Sequence, residues 1–143
     1  MTEFHIDVEI RASPEVVWAV IRDVERWPEW TPTVTSVRLL DGGPLNVGSR
    51  AVIRQPGLPP AKWRVTELDD AGMTLTAVSS APGICVIAHH GVKYSGAGSR
   101  ATLSVRFSGV LAGVLARITR DLNHRYLALE AKGLKKRTET PRV

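Results

Sequence analysis

Two adjacent histidines, His89 and His90, are the side chains of this sequence best suited to acid–base chemistry. They fall in segment 84–94, where side chains alternate between two faces as along a β-strand, and His90 has the parity opposite to Lys93. If Lys93 faces solvent, His90 faces the interior, where an imidazole could exchange a proton or hydrogen bond to a ligand carbonyl. A purely structural histidine fits the same pattern, so both interpretations stay open.

Two tyrosines could work with that histidine. Tyr94 shares the strand parity of His90, and Tyr126 lies in the periodic apolar segment near the C-terminus. Their hydroxyls could orient an oxygenated ligand, or each ring could pack in the core with its hydroxyl in water at the rim. An enzyme built on this sequence would use His90 as acid or base with Tyr94 or Tyr126. A binding protein would have no catalytic residue.

The rest of the sequence contains no recognisable catalytic or metal-binding motif. Cys85 is the only cysteine, and its strand parity is opposite to that of His90, which argues against a nucleophilic Cys–His pair. Nucleophile elbows, phosphate-binding glycine motifs and metal-ligand spacings are absent from the sequence. The carboxylates of Asp41, Asp69 and Asp70 fall in turns, so we expect no paired carboxylates at inward positions. The sequence therefore predicts neither a metal nor a cofactor.

The elements that hold these side chains follow the order of an α+β protein. Residues 4–11 alternate with period two and predict a strand. Ser13 and Pro14 are typical of a helix start, and Pro28 breaks that helix and favours a second short helix or turn at 27–32. Further strands separated by turn residues follow, and then the apolar spacing becomes helical. The predicted strands are 34–40, 50–55, 62–68, 73–79, 84–94 and 100–107, and the predicted C-terminal helix is 113–137.

A curved sheet of this kind would leave a hollow beneath the C-terminal helix. Seven antiparallel strands bury one face and twist, and only the 113–137 helix is long enough to cover that face. Gly133 predicts a weak last turn in this helix. Small inward residues, Ala51, Ala77 and Ala88, leave room beside it. The residues predicted to line the cavity are Gln55, Trp63, Val65, Leu75, Ala77, Val86, Ala88, His90, Leu103, Val105, Leu115, Ile118, Leu122 and Tyr126.

Size and composition are those of an ordinary globular protein. The 143 residues fit one domain, 1–143, and 43% of them are hydrophobic against 23% charged. The sequence has no apolar run of about 18 residues, which a membrane span needs. It also shows no N-terminal secretory pattern and has a single cysteine. These features together predict a cytoplasmic protein.

The formal net charge of +5 raises the question of an anionic partner. Nucleic-acid binding needs aromatic residues interleaved with the charges, or an element that enters a groove, and neither is visible. We therefore predict no nucleic-acid partner. Transient contact with an anionic membrane surface is a better use of the charge, and the oligomeric state stays open. The basic residues predicted to form a stripe on the convex face are Arg38, Lys62, Arg64, Lys93 and Arg106.

Several short motifs follow one another along the chain: Ile10-Arg11-Ala12-Ser13-Pro14-Glu15-Val16-Val17-Trp18, Trp27-Pro28-Glu29-Trp30, Val47-Gly48-Ser49-Arg50, Gln55-Pro56-Gly57 and Trp63-Arg64-Val65. Their order resembles the START-like (SRPBCC) superfamily, in its polyketide cyclase/dehydrase-like branch. The resemblance runs from about residue 4 to residue 138. It implies a helix-grip fold with a deep pocket between the sheet and the C-terminal helix. Members bind lipids, sterols, quinones, polyketides or plant hormones, and a minority are cyclases or other enzymes.

Three functions are compatible with this sequence. The first is binding or transport of a hydrophobic small molecule, such as a lipid, quinone or polyketide-like compound, in the cavity. The second is a cyclase or dehydratase acting on a polyketide-like substrate, with His90 as acid or base. The third is an interaction or regulatory module with a filled cavity and a specific exposed patch.

Overall fold

The computed structural model describes residues 2–139, and a seven-stranded antiparallel sheet is its main element. The strand order is β1-β7-β6-β5-β4-β3-β2, so all neighbours except β1 and β7 are also neighbours in sequence. The predicted α+β architecture, with two short helices between the first two strands, is confirmed. The elements are β1 (Thr2–Ile10), α1 (Pro14–Arg22), a 3₁₀-helix (Val24–Glu29), β2 (Ser36–Leu39), β3 (Arg50–Arg54), β4 (Ala61–Asp69), β5 (Thr74–Ala81), β6 (Ile84–Ser95), β7 (Gly98–Ser108), α2 (Ala112–Ile118) and α3 (Arg120–Glu139).

Side-chain alternation along the strands follows the predicted parity. In β1, Phe4 and Ile10 are buried while His5 and Glu9 are exposed. A bulge between Val65 and Glu67 shifts the register of β4 against β5. An extra residue in one strand exchanges the two faces of the strand beyond it. Val65 before the bulge pairs with Ala77, and Leu68 after the bulge pairs with Leu75, so apolar side chains face inward on both sides of it.

The first helix begins as its sequence predicts. The Ser13 hydroxyl accepts a hydrogen bond from the backbone N–H of Val16 at 3.4 Å, and Pro14 occupies the first turn. Val17 and Ile21, one turn apart, are fully buried against the sheet. The helix and the 3₁₀-helix after it therefore close one end of the concave face.

The C-terminal helix is interrupted, which corrects the prediction of one continuous helix over 113–137. α2 ends at Ile118, and Thr119 takes a non-helical conformation with φ −98° and ψ 10° before α3 begins. The Thr119 hydroxyl donates to the Leu115 carbonyl at 2.6 Å and accepts from the Asn123 amide at 3.0 Å. Threonine bonds of this kind compete with the helical backbone and bend helices, which explains the break.

The helical spacing of large apolar residues does not by itself identify the buried face of α2 and α3. Val114 and Ile118 are exposed, and alanines at 112, 116 and 131 are buried together with Leu127 and Leu134. Small residues allow a helix to approach the sheet closely, so the contact face is richer in alanine than periodicity of large side chains indicates. None of the helices within residues 2–139 is long and apolar enough to cross a membrane.

α3 continues past Gly133 to Glu139, and the weak last turn predicted at this glycine stays a prediction. A Cβ built at this position would overlap the carbonyl oxygen of Trp30. The glycine therefore sits where α3 crosses the end of the 3₁₀-helix at close range, and its role is steric.

Candidate ligand-binding cavity

A cavity of about 470 Å³ lies between the concave face of the sheet and the helices α2 and α3. Because strand side chains alternate, β3 to β7 each contribute inward residues to its wall, and small ones such as Ala51, Ala77 and Ala88 leave the space open. Most of the lining is apolar. The volume and the lining are typical of small-molecule sites in proteins.

The structure brings most of the predicted site residues to this wall. Those on it are Gln55, Trp63, Val65, Leu75, Ala77, Val86, Ala88, His90, Leu103, Val105, Leu115, Leu122 and Tyr126. Their part in ligand binding stays a prediction. Ile118 lies outside the cavity and is 72% exposed, because α2 ends there and the chain turns at Thr119.

Tyr94 also lies outside the cavity, although its parity matches that of His90. It is 72% exposed near the end of β6, and its hydroxyl donates to Glu15 of α1 at 2.8 Å. The hydrogen bond to the carboxylate raises the pKa of Tyr94. A strand residue is enclosed only where another layer covers its face of the sheet. Tyr94 lies outside the covered part, so it is not a candidate catalytic residue.

His90 faces the cavity from the middle of the sheet and is 7% exposed. Its ring lies against Trp27, with 5.0 Å between the ring centroids. Within residues 2–139 its ring makes no hydrogen bond. Burial, followed by the neighbouring His89, lowers the pKa of His90 to about 4. The imidazole is therefore neutral at pH 7 and offers one N–H donor and one nitrogen acceptor to the cavity.

Glu130 is a cavity residue that the sequence analysis missed. It lies on α3 and accepts a hydrogen bond from the Thr33 hydroxyl at 3.2 Å, while Thr33 pairs with Thr31 at 2.8 Å. Burial raises the pKa of Glu130 to about 7, and the Thr33 hydrogen bond lowers it only in part. Its signal in the sequence was its spacing of four from Tyr126 and eight from Leu122, which places all three on one helical face.

A chain of contacts through Trp27 and Trp30 connects His90 to the part of α3 that carries Glu130, and we call this region of the cavity the inner end (Trp27, Thr33, His90 and Glu130). Trp27 contacts His90 on one side and Trp30 on the other, where the ring centroids are 5.8 Å apart. Trp30 in turn meets α3 beside Gly133, one turn from Glu130. The Trp27 side chain is held in place because its indole N–H donates to the Ile21 carbonyl at 2.9 Å.

The opposite end of the cavity, which we call the outer end (Gln55, Leu58 and Tyr126), adjoins the turn between β3 and β4. Gln55 directly follows β3 and lies four residues from Ala51, roughly 13 Å at the rise of a strand. Ala51 belongs to the same core cluster as Trp27. The Tyr126 hydroxyl donates to the Pro56 carbonyl at 2.6 Å, which ties α3 to this turn. Tyr126 is therefore a strap across the outer end rather than a free hydroxyl inside it.

Two further observations bear on chemistry at the wall. The indole N–H of Trp63 is buried and has no hydrogen-bond partner among the described residues, so it is a donor that a ligand could use. Across residues 2–139, no cluster of three or more His, Cys, Asp or Glu side chains could hold a metal ion.

A curved antiparallel sheet closed by a C-terminal helix over an apolar cavity defines the class of helix-grip proteins. The chain belongs to the family described as polyketide cyclase / dehydrase and lipid transport, whose model matches residues 1–139. The START-like resemblance given by the sequence is thereby confirmed.

Solved structures of distant proteins share this fold. XoxI from Bacillus cereus is 22% identical with a TM-score of 0.78 over 96% of both chains. Major latex-like protein 151 from Panax ginseng is 14% identical with a TM-score of 0.81 over 98% of both chains. Norcoclaurine synthase from Thalictrum flavum, solved with dopamine and hydroxybenzaldehyde, is 17% identical with a TM-score of 0.73 over 94% of this chain and 84% of that one. At these identities the likeness shows the fold alone. Comparison with curated proteins gave no match.

Proposed function

We propose that this protein binds or transports a hydrophobic small molecule, such as a lipid, quinone or polyketide-like compound, in its cavity. The observation that carries this proposal is the 470 Å³ space itself, enclosed by apolar side chains and left open by small residues at its wall. An empty apolar hollow of this size loses packing contacts along its whole lining, so an apolar occupant would stabilise the protein. The family description, which includes lipid transport, supports the same function.

The direct experiment is a binding titration with a neutral apolar fluorophore, N-phenyl-1-naphthylamine, followed by energy transfer from the tryptophans at the cavity. We expect saturable binding with one site per chain. Ala77→Phe places a ring in the space and should abolish binding, while Ala128→Phe, on the exposed face of α3, should leave it unchanged. Absence of saturable binding, together with no apolar molecule in an organic extract of the purified protein, would refute the proposal.

A cyclase or dehydratase is the second candidate, and one observation favours it. His90 and Glu130 both face the inner end, where a neutral imidazole could accept a proton and a protonated carboxyl could donate one. Tyr94 and Tyr126 no longer support this function, because one is outside the cavity and the other is bonded to Pro56. Turnover of a synthetic β-polyketide thioester that is lost in His90→Gln, with apolar ligand binding retained, would establish catalysis.

We further propose transient contact with an anionic membrane through α2 and the turn before it. Val110, Val114 and Ile118 expose 89%, 59% and 72% of their surface, and Arg117 and Arg120 are exposed beside them. Apolar side chains flanked by arginines suit a negatively charged interface. The wild type should sediment with phosphatidylserine vesicles and not with phosphatidylcholine vesicles. Ile118→Asp should lose this sedimentation, whereas Val47→Asp, which changes an exposed apolar residue outside this surface, should keep it. Equal sedimentation of all three proteins would exclude this surface.

A further inference from the structure

We propose that the inner end recognises a neutral carbonyl or hydroxyl oxygen on the ligand, with Glu130 as hydrogen-bond donor and His90 as the second polar contact. This inference rests on the proposed function, because it specifies which apolar molecules the cavity accepts. The ligand class is an apolar body with one neutral oxygen at the end that contacts Glu130 and His90. Hydrocarbons and carboxylate anions are disfavoured, and an ammonium cation is disfavoured as long as Glu130 is protonated.

The first support is that both polar groups have unused hydrogen-bonding capacity. Glu130 accepts from Thr33 through Oε1, and no described residue bonds its second oxygen. The His90 ring has Trp27 beside it and no hydrogen-bond partner within residues 2–139. The His90 ring and the second oxygen of Glu130 both belong to the cavity wall, so each is available to hydrogen bond with a ligand in the cavity.

The second support is the absence of a charge partner. The titratable side chains of the cavity wall are His90, Tyr126 and Glu130. From the segment after the 3₁₀-helix, Glu130 accepts a hydrogen bond from the uncharged Thr33 hydroxyl, which in turn pairs with Thr31. Nearby charges of α3 are paired away from the cavity, Lys135 with Glu139 and Arg137 with Glu29. Nothing at this end would neutralise an anionic head group, and burying an unpaired charge is expensive.

The protonation state of Glu130 determines which head groups it can recognise. A carboxylic acid donates a hydrogen bond, whereas a carboxylate only accepts. Because burial raises the pKa of Glu130 to about 7, the donor form predominates below neutrality and is lost above it. A ketone, which only accepts, should therefore bind more weakly as the pH rises through 7.

Four naphthalene probes of similar size separate the possibilities in calorimetric titrations. They are 2-acetonaphthone, 2-ethylnaphthalene, 2-naphthoate and 2-naphthylmethylamine. At about pH 6 we expect the ketone to bind roughly tenfold more tightly than the hydrocarbon, the difference that one good hydrogen bond makes, and both ions to bind more weakly than the hydrocarbon. At about pH 8.5 the preference for the ketone should fall to about twofold or less, because the donor is lost.

Substitutions at Glu130 provide the matched controls. Glu130→Gln keeps an N–H donor at every pH, so its preference for the ketone should persist at both pH values. Glu130→Leu has no donor at position 130, so at both pH values it should show only the preference of about twofold or less that the wild type keeps at about pH 8.5, with the neutral His90 N–H as the remaining donor. Glu3→Gln removes an exposed carboxylate far from the cavity and should behave as the wild type. A second readout is the carbonyl stretch of ¹³C-labelled ketone, which should shift to lower frequency on binding to wild-type protein.

The outcomes distinguish this inference from the proposed function. If none of the four probes binds at either pH, the proposed function fails and the inference fails with it. If ketone and hydrocarbon bind equally and the carbonyl stretch does not shift, the cavity still binds apolar molecules and the inference is wrong. Tightest binding of the naphthoate at either pH, or of the amine at about pH 6, would also overturn it.

Discussion

The inner and outer ends of the cavity use polar side chains in opposite ways. At the outer end the Tyr126 hydroxyl is bonded to the Pro56 carbonyl and serves the architecture. At the inner end burial is the main cause that moves the pKa values of His90 and Glu130 toward the neutral forms, with His89 adding to the shift at His90 and the Thr33 hydrogen bond opposing it at Glu130. On the surface the cause is different, since Arg50 lowers the pKa of Asp41 by pairing with it. The two cavity side chains whose charged forms burial disfavours, His90 and Glu130, therefore both belong to the inner end.

The largest effect on stability is expected from a charge placed in the apolar middle of the cavity, between the inner and outer ends. Leu122→Arg should lower the free energy of unfolding by about 4 kcal/mol, because it buries an unpaired guanidinium and removes an apolar side chain from the wall. Ala128→Arg, on the exposed side of the same helix, should change it by about 0.5 kcal/mol or less. Urea unfolding of both variants tests this, and near-identical stabilities would mean that water fills the cavity.

The pH dependence of stability sharpens the comparison at the inner end. Glu130 has a pKa raised from 4.5 to about 7, so the folded state holds a proton that the unfolded state has lost, and its contribution falls as pH rises across this window. His90 has a pKa lowered from 6.5 to about 4, so its contribution rises with pH between about 4 and 6.5. Each contribution changes by about 3 kcal/mol, with opposite signs.

Single variants separate these opposing slopes in urea unfolding at a series of pH values. Glu130→Gln should leave a stability that increases from about pH 4 to 6.5, and His90→Gln one that decreases from about pH 4.5 to 7. The wild type should be nearly flat between about pH 4.5 and 6.5, where the two effects cancel. Parallel profiles for all three proteins would show that neither side chain is buried as described.

A pair of glycines tests how closely α3 approaches the inner end. Gly133→Ala should lower the free energy of unfolding by about 2 kcal/mol, because the new methyl group overlaps the Trp30 carbonyl. Gly113→Ala in α2 meets open space and should raise it by about 0.5 kcal/mol through helix propensity. Differential scanning calorimetry measures both, and equal effects would contradict the steric role of Gly133.

The smallest expected effect is at the outer end. Tyr126→Phe removes the hydrogen bond to Pro56 and should cost about 1 kcal/mol of stability. Because the strap across this end is lost, we expect faster association and dissociation of an apolar fluorophore with little change in its equilibrium constant. Stopped-flow measurements test this. Unchanged rates would mean that ligands enter elsewhere.

The fold could be predicted from local patterns because each pattern has one geometric meaning. Period-two alternation in residues 4–11, the Ser13-Pro14 helix start and the turn residues between strands determine the elements and their faces. The inward faces of β3 to β7 follow from these patterns. The cavity residues predicted between Gln55 and Val105 therefore lie on the cavity wall.

The predictions of site residues were wrong where the orientation of a side chain depends on tertiary contacts. Thr119 redirects the chain after α2 through side-chain hydrogen bonds, and this turned Ile118 outward. Tyr94 keeps its parity but extends past the covered part of the sheet. Glu130 was missed because a charged residue is ordinarily read as solvent-facing, and only the position of Thr33 and the crossing at Gly133 show that it is enclosed.

The most direct test of the central claim is the affinity of the cavity for an apolar molecule. Titration of N-phenyl-1-naphthylamine should give one saturable site with tryptophan energy transfer, lost in Ala77→Phe and retained in Ala128→Phe at equal thermal stability. Binding that is unaffected by Ala77→Phe would place the ligand outside the cavity and contradict the account.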